Sequence, residues 1–501
     1  MATPLDDLEP QLVWRNFYEL SRIPHGSRNE AKAADWAEAR ARALGCSVSR
    51  DGAGNVLISK AASPGRERAP AVCLQAHLDM VCEKNEGVIH DFLADPIPLY
   101  RDDDLLKAKG TTLGADNGVG VALALATLAS PELVHGPLEV LLTVQEEVGM
   151  GGALGLAPRG LKAAYLVNLD GEKAGRVVIG CAGGADTVAR RPLSRVPAAG
   201  APYRLKVSGL KGGHSGDDID ADRANAIRVL AQTLRALGAE REFGIGELSG
   251  GSSRNAIARE ASALVFLDEA AIGDFHRSVA ALQGRWRSSY GSFEPLLRLS
   301  LSPAEPGSCS AAGAFCARDA RAIVSCLLAL PHGMESRNPD LPGLVRASTN
   351  LAIARTRADG FEVELLTRSD DGDSKMALVD RIDAVLELAG FERRLENVYP
   401  GWKPRPDSYL ASAASAASES LFGRPMEALV VHSGLECGII GDKHPGMEMI
   451  GIGPDMGDVH TPGEWVSVSS TAAFWKLLGL LLERLALSRG ESGEAPHAVE
   501  I

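Results

Sequence analysis

Apolar residues recur at helical spacing through PQLVWRNFYELSRI, which predicts a first helix that ends where Pro24 and Gly26 interrupt it. Ser27-Arg28-Asn29-Glu30 has the form of a capping box, so a second helix is expected from there to about Gly45, a residue suited to ending one. SVSRD and NVLISK on either side of DGAGN predict a hairpin. The pattern then changes. AVCLQAHLDM, LEVLLTVQ and AAYLVNLD are nearly unbroken apolar runs, and NGVGVALALATLAS between the first two reads as a buried helix. Strands covered on both faces look like this, so an α/β sheet flanked by helices is expected.

From about Gly183 the texture shifts again. YRLKVSGL, SALVFLDE and LLRLSLS read as strands, and DRANAIRVLAQTLRAL and AAIGDFHRSVAALQ as helices. LVRASTNLAIARTRADGFEVELLTRS reads as a hairpin turning at Asp-Gly, and MALVDRIDAVLELAG as the helix after it. These suggest a smaller α+β unit. After about Val398 the buried α/β texture returns in SYLASAASAASESLFG, EALVVHS and MEMIGIG. One domain interrupted by another is therefore expected: 1–183 and 399–487 forming the first, 184–398 the second, and 488–501 a polar tail expected to fray.

The bulk properties narrow the function classes. At 501 residues the chain exceeds one ordinary core, and 45% hydrophobic with 23% charged residues is a globular composition. A net charge of −13 gives nucleic acid and anionic membrane surfaces no attraction. MATPLDDLEPQLVW lacks the basic start and apolar core of a signal peptide, so a cytoplasmic location is the default expectation. The eight cysteines form no CxxC pair and are expected to be reduced, structural thiols.

Candidate chemistry lies where apolar runs end. His77 and Asp79 follow one run, Glu146 and Glu147 another, Asp170 a third, while Asp116 lies in TLGADNGVG and His460 in GDVHTPGE. Each has a bland reading alone. HxD can be a core histidine with a bonded acid, Asp116 a helix N-cap, Glu146 and Glu147 surface acids, Asp170 a turn acid and His460 a loop residue. Together, two histidines and several carboxylates at strand ends suit a pair of divalent ions holding a water, and so metal-assisted hydrolysis. Of the adjacent pair Glu146 and Glu147, one could bind metal and the other take a proton from the water. GMGGALG fails as a dinucleotide fingerprint because Leu154 stands at the third glycine position.

HLDMVCEKN, TLGADNGVG, QEEVGMGGA, NLD, GCAGGAD, GLKGGHSG, RNAIARE, YPGWKPRPDS and HSGLECG together resemble the cytosolic aminoacyl-histidine dipeptidase (peptidase D) group of the M20 metallopeptidases, across nearly the whole chain. The resemblance implies a zinc-exopeptidase catalytic domain with an inserted lid domain. It implies two divalent ions per subunit, zinc first and manganese or cobalt as alternatives. His77 and Asp170 would hold one ion, Glu147 and His460 the other, with Asp116 bridging, Asp79 orienting His77 and Glu146 as general base. His214 resembles the residue that polarises the scissile carbonyl, and Asn255 and Arg368 resemble substrate-binding positions. The substrates implied are unblocked dipeptides, including Xaa-His, and the assembly a homodimer through the lid. N-acyl or γ-glutamyl amino acids are the alternative substrates, and a metal-binding protein without turnover the alternative of another class. The chain departs from the group at Ser369-Asp370 and at HTPGE, and Asp370 adds negative charge beside the expected carboxylate pocket.

Overall fold

A computed structural model describes residues 5–304, 313–339, 341, 343–405 and 407–487; the tail expected at 488–501 lies outside these. The chain divides into two compact units. One comprises Met1–Cys181, Trp402–Val430 and Leu435–Ile501, the other Ala182–Gly401 and Val431–Gly434. No helix among the described residues is long and apolar enough to cross a membrane, and the cysteines among them are all free thiols.

The first unit is built on a mixed eight-stranded sheet. Its strands run in the spatial order Ser47–Arg50, Val56–Lys60, Leu138–Thr143, Val72–His77, Tyr165–Asn168, Glu448–Gly451, Arg176–Cys181 and Glu427–Val431. The four from Leu138–Thr143 to Glu448–Gly451 are mutually parallel, and the pairs Ser47–Arg50/Val56–Lys60 and Val56–Lys60/Leu138–Thr143 are antiparallel. Leu138–Thr143 and Val72–His77 are buried at every position, as their nearly unbroken apolar sequences lead one to expect.

The Ala115–Ala129 helix is apolar on all sides and buried almost throughout, so it must be covered on all sides. The Gln11–Ser21 helix lies against it. Val13, Trp14, Phe17 and Leu20 supply its buried stripe, each worth roughly 1.5–3 kcal/mol on full burial. Contact is close at Gly118, where an added Cβ would sit 3.3 Å from the Phe17 ring.

The second helix, Ala31–Ala43, ends as expected. Gly45 takes φ 76°, its N–H donates to Arg42 O and that of Cys46 to Ala41 O, a Schellman closure. Its start does not form the expected capping box. Ser27 Oγ instead donates to Asp79 Oδ2 at 2.8 Å, and Glu30 Oε1 accepts from the amides of Arg28 and Gln145. Both side chains are engaged by the loops that follow the buried strands. The hairpin around DGAGN forms, its turn gathered by Asp51 Oδ1, which accepts from the amides of Ala53, Gly54 and Asn55.

The second unit carries a nine-stranded antiparallel sheet and the helices Ala226–Glu240, Ile272–Tyr290, Ala317–Ala329 and Gly372–Leu388. The Asp-Gly hairpin pairs Val345–Thr356 with Gly360–Ser369. Glu362, 1% exposed, is ringed by Arg190, Arg355 and Arg357. Burial pushes its pKa up, but the three guanidinium groups outweigh that and hold it at about 2.

Candidate metal centre

The parallel strands of the first unit deliver their carboxyl ends to one edge of the sheet, where sites assemble in α/β folds. His77 closes the strand Val72–His77, Asp170 follows Tyr165–Asn168, Glu146 and Glu147 follow Leu138–Thr143, and His460 lies farther past Glu448–Gly451, on the loop between the short strands Met456–Gly457 and Trp465–Ser467. Asp116 differs from the expectation of a strand end. It sits in the first turn of the Ala115–Ala129 helix with φ −83° and ψ 104°, beside a cis Asp116–Asn117 peptide. Nor does its carboxylate cap the helix: the N-cap residue is Gly114, and both Asp116 oxygens face histidines.

His77 Nε2 lies 3.0 Å from Asp116 Oδ1 and 3.5 Å from Asp170 Oδ1, and His460 Nε2 lies 3.1 Å from Asp116 Oδ2 and 3.0 Å from Glu147 Oε1. Three groups each keep their ligand atoms within 4.8 Å of one another: His77–Asp116–Asp170, His77–Glu146–Glu147 and Asp116–Glu147–His460. Asp116 thus belongs to two of them, one oxygen towards each histidine.

The donor chemistry fits divalent cations. His77 Nδ1 meets the main-chain carbonyl of Asp79 at 3.0 Å and must carry the ring hydrogen there. Nε2 faces carboxylates, which only accept, so a proton or a metal cation has to lie between them. A positive charge between them satisfies both sides. The titration behaviour reports the same field. Burial opposes a charged His77 ring, but Asp170, Asp116 and Asp79 outweigh it and raise its pKa well above the ordinary value. Asp116 and Glu147 lift His460 to about 11, while hydrogen bonds from both histidines overcome burial and hold Asp116 well below the carboxylate range. Glu146 is pushed the other way: burial, then Asp170, Glu436 and Glu147, raise it well above the ordinary value against the opposing pull of His77.

Asp79, expected beside His77 and 1% exposed, keeps its carboxylate 3.6 Å from His77 Nδ1 and accepts from Ser27 Oγ and from the amides of Glu146 and Glu147, which fixes the acidic loop. Several other side chains that hold this edge together did not stand out in the sequence. Asn117 Nδ2 donates to Asp170 Oδ1. Beneath the strand ends, Glu436 Oε2 accepts from Gln75 Nε2 and Thr143 Oγ1, both at 2.6 Å, and Asn168 Nδ2 donates to Gln75 Oε1 at 2.6 Å. Glu464 accepts from four successive amides, Leu113 to Asp116. A signal for Glu436 was available: a lone acid inside the apolar run Leu435–Ile440.

The remaining expected residues cluster within the second unit. Arg368, 4% exposed, places Nη2 at 3.4 Å from Ser215 Oγ and 3.5 Å from Asn255 Oδ1, and its Nε has no hydrogen-bond partner among the described residues. His214 Nδ1 lies 3.2–3.3 Å from the amides of Gly216 and Asp217 and 3.3 Å from Asp217 Oδ2. Asp370 is occupied elsewhere, its Oδ2 accepting from Asn338 Nδ2 at 2.7 Å.

Residues 73–484 match the peptidase family M20/M25/M40. The chain is 37% identical over 483 residues to the cytosol non-specific dipeptidase of Escherichia coli K12, covering 96% of this chain and 99% of that one. The crystal structure of aminoacylhistidine dipeptidase from Vibrio alginolyticus superposes with a TM-score of 0.85 at 37% identity, covering 96% and 98% of the two chains. A tripeptidase of Staphylococcus aureus shares the fold at 18% identity and a TM-score of 0.57, over 96% of this chain and 99% of its own. With the match running from the first buried strand through His460 and into the last helix, the chain belongs to the peptidase family M20/M25/M40.

Proposed function

We propose that this chain is a cytoplasmic metallo-dipeptidase that hydrolyses unblocked dipeptides, Xaa-His among them. The observation that carries this reading is Asp116, shared between two groups of histidine and carboxylate ligands with the raised carboxyl of Glu146 alongside. The full-length likeness to two dipeptidases supports the substrate class. His77 and Asp170 would hold one divalent ion, Glu147 and His460 a second, and Asp116 both. Zinc is the first choice, and manganese or cobalt suits the same oxygen and imidazole donors. Such ions supply Lewis acidity and a water of lowered pKa.

Glu146 takes the proton of the attacking water and returns one to the leaving nitrogen. A carboxyl whose pKa is raised by desolvation is a better proton acceptor than an ordinary one, which suits that exchange. For the second unit, we assign Arg368 to the substrate carboxylate. Its guanidinium is buried, and its hydrogen bonds among the described residues go to Ser215 and Asn255 rather than to a carboxylate, so an incoming one would compensate it. His214 and Asn255 are assigned to the scissile carbonyl and the substrate backbone, and the protein to a homodimer through this unit.

The test is hydrolysis of Ala-His and its N-acetyl derivative by zinc- or manganese-loaded protein, with a chelated sample alongside. Chelator-sensitive cleavage of the free dipeptide alone is expected. Cleavage of only the acetylated form would move the protein to the acylases, and inertness towards both would end the dipeptidase reading. In the same assay Glu146→Gln should retain metal and lose at least about a hundredfold in kcat; near-normal turnover would exclude Glu146 as the base.

A further inference from the structure

Glu464 follows His460 on the same loop, is 3% exposed, and uses both carboxylate oxygens on main-chain amides. Oε2 accepts from Leu113 N at 2.6 Å and Gly114 N at 3.0 Å, and Oε1 from Ala115 N at 2.7 Å and Asp116 N at 3.2 Å. Those four amides form the turn that presents Asp116. Opening a helix, they have no partners within it, and the Gly114 N-cap offers no side chain. A carboxylate from a distant part of the chain takes the capping role, and the helix dipole favours its charge there.

The loop carrying Glu464 is itself fastened. Thr461 Oγ1 donates to Asp458 O and accepts from Gly463 N, and Glu464 N donates to Thr461 O. The next residues, Trp465–Ser467, pair with Leu105–Ala108. One carboxylate therefore joins two backbone segments, one bearing Asp116 and the other His460. That side chain is one of the links that fix the separation of Asp116 and His460.

We propose that Glu464 is a positioning residue for the metal centre: by tying the Asp116 turn to the His460 loop it forms the Asp116–Glu147–His460 position. The proposal rests on the reading of that group as a cation site. Side chains that orient metal ligands from behind commonly carry a ten- to hundredfold effect on affinity. Glu464→Gln keeps the length but turns an amide N–H₂ towards two N–H donors, so the turn and the loop should part.

The experiment is titration of metal-free protein with Zn²⁺ against a chromophoric chelator, in wild type, Glu464→Gln and His460→Ala, with circular dichroism to establish folding. Wild type should bind two equivalents. Glu464→Gln should weaken one of them by about tenfold or more, as His460→Ala does, affect the other less because Asp116 serves both, and lower kcat with KM little altered. A folded Glu464→Gln that binds both equivalents with wild-type affinity would reduce Glu464 to a structural cap and overturn the proposal. If the Gln variant does not fold, Glu464→Asp carries the same comparison, since it keeps the charge and withdraws the oxygens by one methylene. Failure of wild type to bind any divalent ion would overturn the metal reading of the site and this proposal with it.

Discussion

Glu146, half-buried, and Glu436, fully buried, are both acids near His77, and desolvation raises both pKa values, yet their partners set them apart. Glu436 is fixed by Gln75 and Thr143, and its second oxygen has no hydrogen-bond partner among the described residues. Burial lifts it from an ordinary 4.5 to about 7, so the neutral form is the one the fold accommodates. The linkage sign follows: its contribution to stability is complete below about pH 4.5 and is lost as pH rises through about 7. Between pH 5 and 8, metal-free wild type should lose up to about 3 kcal/mol more stability than Glu436→Gln. Urea titrations at the two pH values measure this, and equal losses would show that Glu436 titrates normally. At this scale the ligand candidates were legible because few residue types bind metals and each stood at the end of an apolar run or beside glycines. Glu464 was not, because its partners are amides far away in the chain, and a backbone N–H leaves no trace in sequence.

The buried strands and the Ala115–Ala129 helix were legible because covering both faces of an element demands unbroken apolar sequence. Where a side chain serves another element instead, the local pattern misled: Ser27 and Glu30 spell a capping box, but the loops after the strands claim them. Gly183–Pro192 escaped notice for the converse reason. Its paired glycines suggest a turn, whereas Gly184 makes room for the Tyr399 ring on the neighbouring strand. The same logic separates two helical glycines. A Cβ on Gly120 would run into the Asn117 amide and come within 2.8 Å of Leu169 O, so Gly120→Ala should cost about 1–3 kcal/mol and disturb Asp170 through Asn117. Gly284, on the Ile272–Tyr290 helix, has nothing within 4 Å, and Gly284→Ala should stabilise by about 0.5–1 kcal/mol. Denaturation midpoints moving the same way in both variants would contradict this packing account.

Across the whole molecule, a return of α/β texture after an α+β stretch was readable because each unit must complete its own core, and composition follows burial. Which segments share a sheet was not readable: that Glu448–Gly451 lies between Tyr165–Asn168 and Arg176–Cys181 depends on contacts with no local signature. Acids gathered at the strand ends of a chain with net charge −13 repel one another, so divalent ions should stabilise the native state as well as activate it. At a free zinc concentration a hundredfold above its Kd, the gain should be about 2.7 kcal/mol per site, and chelation should remove it. A melting temperature indifferent to zinc and chelator would contradict it.

The insertion of the second unit into the first also orders events during synthesis. His77, Asp116, Glu147 and Asp170 leave the ribosome before the second unit, whereas His460, Glu464 and the strand Glu448–Gly451 leave after it. Until then the nascent first unit lacks the strand that lies beside Tyr165–Asn168 and one of the two histidines of the candidate metal centre. A ribosome that stalls inside the second unit thus releases a fragment with an unprotected strand edge, open to aggregation and proteolysis, and with no complete site to hydrolyse peptides.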